Sequence, residues 1–310
     1  MRKIKILLFV VLLILLGNMP APFSIGSFST LPIPISKVPL KMEREEVTLK
    51  LSPQEVKGSV IYDILNPYKE VEVGFVFPLL GEGMYYSKKD LHVYFNNKPI
   101  DSELMTLSQL REALGDKFTK FEKTISPSDR VFIDPLKDTP YKSKYLDLHN
   151  LSEERHSFFF FKIHFKENEK GILRVEFRDF PGFDRKLYPK EIYHYYYIVN
   201  VKDYYNEFKN ITINIIYPKD YVVSTRPDGE EESMDGFKKR SIFIEKPENN
   251  LSISYMEDRP SSLSIYLYRK FPFLYSSYFW FFLFIILFFA AIITTISLLW
   301  LKLLKNRRSP

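Results

Sequence analysis

From Glu43 onward, apolar residues recur at every second position, the period of a strand with one buried face. Val47, Leu49 and Leu51 alternate with Thr48 and Lys50. Val56–Leu65 predicts a second strand, with apolar residues on both faces. Asn66-Pro67-Tyr68-Lys69 reads as a turn, since proline presets φ at the second turn position. Val71, Val73, Phe75 and Phe77 predict the next inward face, closed by Pro78. Leu91, Val93 and Phe95 continue the series, and Asn96-Asn97 marks a hairpin turn before Lys98-Pro99-Ile100.

The period changes over Ser102–Phe121. Leu104, Leu107, Leu110, Ala113 and Leu114 recur at helical spacing, with Ser102 as the expected cap and Gly115 as the expected end. Residues 122–156 are polar and irregular, apart from a short strand expected at Arg130–Ile133. Alternation returns at Ser157–Lys166, where Phe159, Phe161, Ile163 and Phe165 share a face. Glu167–Gly171 is expected to close a hairpin onto Ile172–Phe177. Further strands are predicted at Ile192–Val201, Ile211–Tyr217, Ser241–Glu245 and Leu251–Met256. Short strands with turns between them predict a mainly β, extracellular sandwich-like body of one or two halves, with a small helical insertion.

Two apolar segments bracket this body. Ile6–Leu16 follows the basic start Arg2, Lys3 and Lys5 and precedes Gly17-Asn18-Met19-Pro20, the three parts of an export signal. Phe279–Leu301 has 23 uncharged residues, enough to cross a bilayer core of about 30 Å. Trp280 and Trp300 mark its two ends, where rings with a polar tip suit the headgroup boundary. Lys302, Lys305, Arg307 and Arg308 follow it, a bias retained on the cytoplasmic side. The chain therefore divides into an export signal or uncleaved anchor (1–21), a proline-rich extended lead-in (22–41), a first β region (42–101), a helical and irregular insertion (102–156), a second β region (157–258), a juxtamembrane segment (259–278), a spanning helix (279–301) and a basic cytoplasmic tail (302–310). The lead-in reads as a tether or an edge strand. The expected location is the cell membrane, single-pass, with the body outside.

Charge changes the picture less than its total suggests. The net charge is +6, but seven of the 44 basic residues flank the apolar segments and no acid does. The body keeps 37 basic residues against 38 acids, which argues against a nucleic-acid partner. The chain has no cysteine. Glycine is too scarce for a phosphate loop, and no Gly-x-Ser-x-Gly occurs.

Candidate chemistry is sparse. Five histidines show no metal spacing, though His164 and His194 would meet if their strands paired. Acids cluster at Glu43, Glu45 and Glu46, at Glu230, Glu231 and Glu232, and at Asp179 and Asp184. Runs of this kind ordinarily form solvated faces or turns, and the triple glutamate is expected in a loop. No catalytic, cofactor or metal residues are assigned. Tyr193, Tyr195, Tyr196 and Tyr197 line one strand, either as core or as an aromatic binding surface for a glycan or protein. Ala290, Ala291, Thr294 and Thr295 form a small-residue strip suited to packing against another helix.

Two stretches resemble an uncharacterised family of bacterial secreted β-rich domains. Met42–Leu79 is similar to its opening: a Glu-Glu strand, a second strand ending in Asn, and a strand closing on Phe-Pro. Tyr193–Met256 is similar to its closing half, with a Tyr-rich strand, Tyr204-Tyr205, and final strands at Ile211–Tyr217 and Leu251. The resemblance implies an exported β domain and carries no activity. The expected role is a non-catalytic envelope or binding module beside the bilayer and a membrane protein, wall protein or glycan. The alternatives are an ectoenzyme with a carboxylate pair and an accessory subunit of a transporter or receptor.

Overall fold

The computed structural model describes residues 24–25, 27–30, 32–35, 40–81, 86–125, 132–141, 156–184, 187–199, 204–205, 207–208, 210–246, 250–275 and 277–306. The expected export signal, Arg307 and Arg308 lie outside these residues. The longer strands are, in chain order, β1 (Lys41–Leu51), β2 (Val56–Leu65), β3 (Val71–Gly81), β4 (Leu91–Phe95), β5 (His156–Phe165), β6 (Lys170–Asp179), β7 (Ile192–Ile198), β8 (Ile211–Pro218), β9 (Val222–Arg226), β10 (Phe237–Ile244) and β11 (Leu251–Met256). The helices are α1 (Leu107–Leu114), α2 (Phe118–Ile125), α3 (Ser262–Lys270) and α4 (Ser277–Asn306). The protein is mainly β with a C-terminal apolar helix. The strands form one compact unit, and residues from Pro260 onward belong to a second.

Two large sheets build the body. The first runs β9–β11–β7, then through the short strand Ser27–Thr30 to β3 and β5. The second runs β10–β8–β1–β2–β6–β4, with β8 and β1 parallel. Each sheet draws strands from both β regions of the sequence. The lead-in contributes both an edge strand, Ser24–Ile25, paired among the described residues with Phe183–Asp184 alone, and an interior one, in which Phe28 pairs with Tyr196 on one side and Leu80 on the other.

Two turns decide this arrangement. The chain leaves β2 for the other sheet through Asn66–Glu70, and leaves β5 for the second sheet through Lys166–Glu169. Asn66 is fully buried and joins the two crossings. Its side-chain amide donates to the carbonyls of Lys69 (2.9 Å) and Lys166 (2.8 Å), and its backbone N–H donates to Glu169 O (2.8 Å). The hairpin expected between β5 and β6 is thus absent: β5 pairs with β3, and β6 with β2 and β4. The Asn96-Asn97 hairpin is present, with both residues at positive φ.

The inner faces meet through aromatic rings. Phe77 of the first sheet lies 5.3 Å from Phe177 of the second, and Phe165 lies 5.1 Å from Phe95, centroid to centroid. Glycine makes room for both contacts. A Cβ on Gly58 would stand 2.0 Å from the Phe177 ring, and one on Gly171 would stand 2.3 Å from the Phe95 ring. Burying each such ring contributes about 1.5–3 kcal/mol.

The helical insertion begins later than Ser102. Glu103–Met105 pairs with β5 as a strand, and Thr106 caps α1 in a reciprocal capping box with Gln109. Gly115 ends α1 at φ +50°, and α2 continues to Ile125. Phe121 meets Phe158 at 6.2 Å, so these helices cover the face of β5 opposite Phe159 and Phe161. The strand expected at Arg130–Ile133 appears as Phe132–Asp134, paired with Thr139–Tyr141. Period two does not mark the strand β9 or the strand Glu230–Ser233, because neither alternates an apolar with a polar face.

In α4, the window Phe279–Trp300 has mean hydropathy 2.8, long and apolar enough to cross a membrane.

Candidate functional site

The tyrosine strand is core rather than platform. Tyr195, Tyr196 and Tyr197 are buried, because β7 has a partner on each edge and packing on both faces. Tyr193 is half-buried and stacks on Tyr255 at 5.4 Å.

The two histidines do not meet. His164 points outward on β5 and pairs with Glu70 at 2.7 Å. His194 is buried on β7, where its Nε2 bonds the Tyr141 hydroxyl (2.5 Å) and its Nδ1 bonds Ser254 Oγ (2.9 Å). Burial pushes its pKa down to about 3, so the ring is neutral. The Phe132–Tyr141 hairpin is pinned there, since Ile133 N–H also donates to Ser254 Oγ (3.2 Å).

The acids separate by burial. Glu45 is fully buried, following the same period as Val47 and Leu49, and accepts from the Tyr197 hydroxyl at 3.3 Å. Desolvation raises its pKa well above the ordinary carboxylate range, against that hydrogen bond. Asp179, also buried, accepts from the Tyr86 and Tyr195 hydroxyls and from Phe180 N–H. Asp184 is buried in a short strand paired with β7. Glu231 lies in a strand rather than a loop. Partial burial raises its pKa, but hydrogen bonds from Lys238, Tyr217 and Arg240 outweigh that and hold it at about 2. Asp179 and Glu231 are held by these bonds, while Glu45 Oε2 is buried without a hydrogen-bond partner among the described residues. Among the described residues, no three His, Cys, Asp or Glu side chains are grouped to hold a metal.

On α4, Thr294 and Thr295 donate to the carbonyls of Ala290 and Ala291, each at 2.8 Å, and so satisfy their hydroxyls within their own helix. Trp280 and Trp300 are exposed, and Trp280 Nε1 donates to Leu274 O (2.7 Å). Lys302 and Lys305 lie in the last turns of the helix.

A groove of about 390 Å³ lies on the outer face of the second sheet. Strand register builds it. Lys50 of β1 stands opposite Lys57 of β2, which stands opposite Arg178 of β6. All three side chains point outward. The next row is Thr48, Ser59, Glu176 and His92, again in register across β1, β2, β6 and β4. Lys89 adds a further cation from the short helical turn before β4. Asp90 ends that turn and is buried. Its Oδ2 accepts from Ser87 N–H (2.7 Å) and Oγ (3.0 Å), and its Oδ1 accepts from Arg178 Nε (3.0 Å). The guanidinium is therefore held through Nε, and no hydrogen bond from its outer N–H groups is found among the described residues. Outward residues separated this far along the chain come together only through register, so no motif marks them in the sequence.

No family model and no curated protein matches the sequence. Among solved structures, the chain is similar to a Legionella pneumophila protein provisionally described as nutrient binding. The TM-score is 0.50 at 12% identity, over 82% of this chain and 77% of that one. It is also similar to an M1 zinc metallopeptidase from Deinococcus radiodurans, with a TM-score of 0.33 at 9% identity, over 70% of this chain and 43% of that one. The first likeness shows a shared fold. The second carries no argument, and the chain spans less than half of that enzyme's length.

Proposed function

We propose that this chain is a membrane-anchored exported protein whose β body, a sandwich of two facing sheets, acts as a non-catalytic binding module of the cell envelope. The observation that carries the reading is the outward groove with its aligned cations, lined from β1, β2, β6, β4 and the turn before β4. Asp179 and the buried imidazole of His194 support it, being engaged in hydrogen bonds within the fold. Helix α4 supplies the anchor. The cations from Lys302 to Arg308 favour a cytoplasmic C-terminus, and the basic start with its short apolar run favours export of the β body. Kinship with the secreted β-rich family belongs to the same reading.

The absence of native cysteine makes the test clean. Single variants His92→Cys and Ser309→Cys are exposed on intact cells to a membrane-impermeant maleimide. Labelling of the first without permeabilisation, and of the second only after it, is expected. The reverse pattern overturns the topology and the envelope role with it.

A further inference from the structure

The cation row is costly as it stands. Like charges directly opposite on neighbouring strands, about 5 Å apart, oppose one another. Lys57 leans on Glu55 at 2.7 Å and Arg178 on Asp90 at 3.0 Å. Lys50 and Lys89 have no carboxylate partner among the described residues, and Glu176 leans toward Arg174 at 3.6 Å. Two positive charges are left over, facing one groove. A dianion placed across the row would turn this repulsion into attraction.

We propose that the groove binds the phosphate of a small phosphorylated polyol or sugar, an assignment that rests on the binding-module reading. Lys50, Lys57 and Lys89 neutralise the phosphate as point charges. Arg178, oriented by the buried and capped Asp90, supplies the planar fork that matches two phosphate oxygens. The adjoining row offers what hydroxyl groups need: the Thr48 and Ser59 hydroxyls, the His92 ring and the Glu176 carboxylate, within hydrogen-bonding reach of a ligand seated beside the cations. A volume of about 390 Å³ is of the size of a small-molecule site. A soluble sugar phosphate, a monoester with up to two charges, and a phospholipid headgroup, a diester with one, both present phosphate oxygens to this fork, so the source is decided by experiment.

The experiment uses the full chain in an uncharged detergent, titrated by calorimetry with glycerol 3-phosphate, glycerol, sodium sulfate and dihexanoyl phosphatidylglycerol. Glycerol 3-phosphate is expected to bind, glycerol to give no heat, and the Lys50→Gln/Lys57→Gln double variant to lose at least about tenfold in affinity, or about 1.4 kcal/mol. That variant keeps Arg178 and Asp90 and is expected to melt no lower than wild type, so lost binding is not lost folding. Tighter binding of the lipid than of glycerol 3-phosphate assigns the site to headgroups, and weaker binding assigns it to a soluble ligand. Each supports a phosphate site. No binding of either phosphate, equal binding of sulfate, or unchanged affinity in the double variant overturns it. Failure on these grounds with His92→Cys still labelled from outside removes the phosphate assignment alone. Labelling only after permeabilisation removes the envelope reading whatever phosphate does.

Discussion

The two ends of strands β1, β2 and β6 treat charge in opposite ways. At one end, Arg44 pairs with Asp63 (3.3 Å), Lys170 with Glu43 (2.7 Å) and Lys41 with Glu207 (3.3 Å). At the other, Lys50, Lys57 and Arg178 stand side by side: Lys57 and Arg178 keep flanking acids, Glu55 (2.7 Å) and Asp90 (3.0 Å), and Lys50 has none among the described residues. Beneath both ends the core solves the same problem in the same way, with a phenylalanine ring laid over a glycine. The packing below is alike at both ends, and the charge above differs by an excess of cations at one of them. Matched pairs on an exposed sheet contribute little, and like charges subtract a little.

The shared core can be broken first. Gly58→Ala and Gly171→Ala each drive a methyl group into a buried ring, and each is expected to cost about 1–3 kcal/mol by chemical denaturation, without regard to the charge above. A cost at Gly58 alone would mean that the two ends are not built alike. Next comes a buried charge-sensitive group away from either end. The unfolded His194 binds a proton below about pH 6.5, and the folded one only near pH 3. The unfolded state therefore holds more protons in between, and stability falls as pH falls through that window by about 1.4 kcal/mol per unit. His194→Gln is expected to flatten that slope even though it also lowers stability overall. An unchanged slope would show that the imidazole is not held neutral.

Asp90→Ala separates positioning from charge. It removes the cap on the turn before β4 and frees Arg178, and a loss of about 1–2 kcal/mol by thermal melting is expected. The smallest effects sharpen the comparison most. Arg44→Gln at the matched end is expected to lower stability by about 0.2–1 kcal/mol, and Lys50→Gln at the unmatched end to raise it by a similar amount. Two changes of the same sign would erase the distinction between the ends.

Much of the local structure is readable from the residues. Alternation marks β2, β3, β4 and β5 because each has one strictly apolar face, and two asparagines at positive φ announce the hairpin after β4. The sheet to which a strand belongs is not readable. A short loop after β5 looks like a hairpin, and only the buried amide of Asn66 turns it into a crossing between sheets. Glu45 shows the same gap at a single position. Period two places it inward with Val47 and Leu49, yet its charge suggests a solvated face, and the buried Tyr197 hydroxyl decides the matter. The tyrosines of β7 are buried because a lead-in strand and β11 flank them, partners that come from opposite ends of the chain. The groove is the extreme case. Lys50, Lys57 and Arg178 are unremarkable surface cations until register sets them in a row.

The most direct measurement is the melting temperature of wild type and Lys50→Gln, each with and without saturating glycerol 3-phosphate. Without ligand the variant should melt about 0.4–2 °C higher, and with ligand the wild type should gain more than the variant. A variant that melts lower without ligand, or gains as much from it, would contradict the idea that these lysines are held together for an anion.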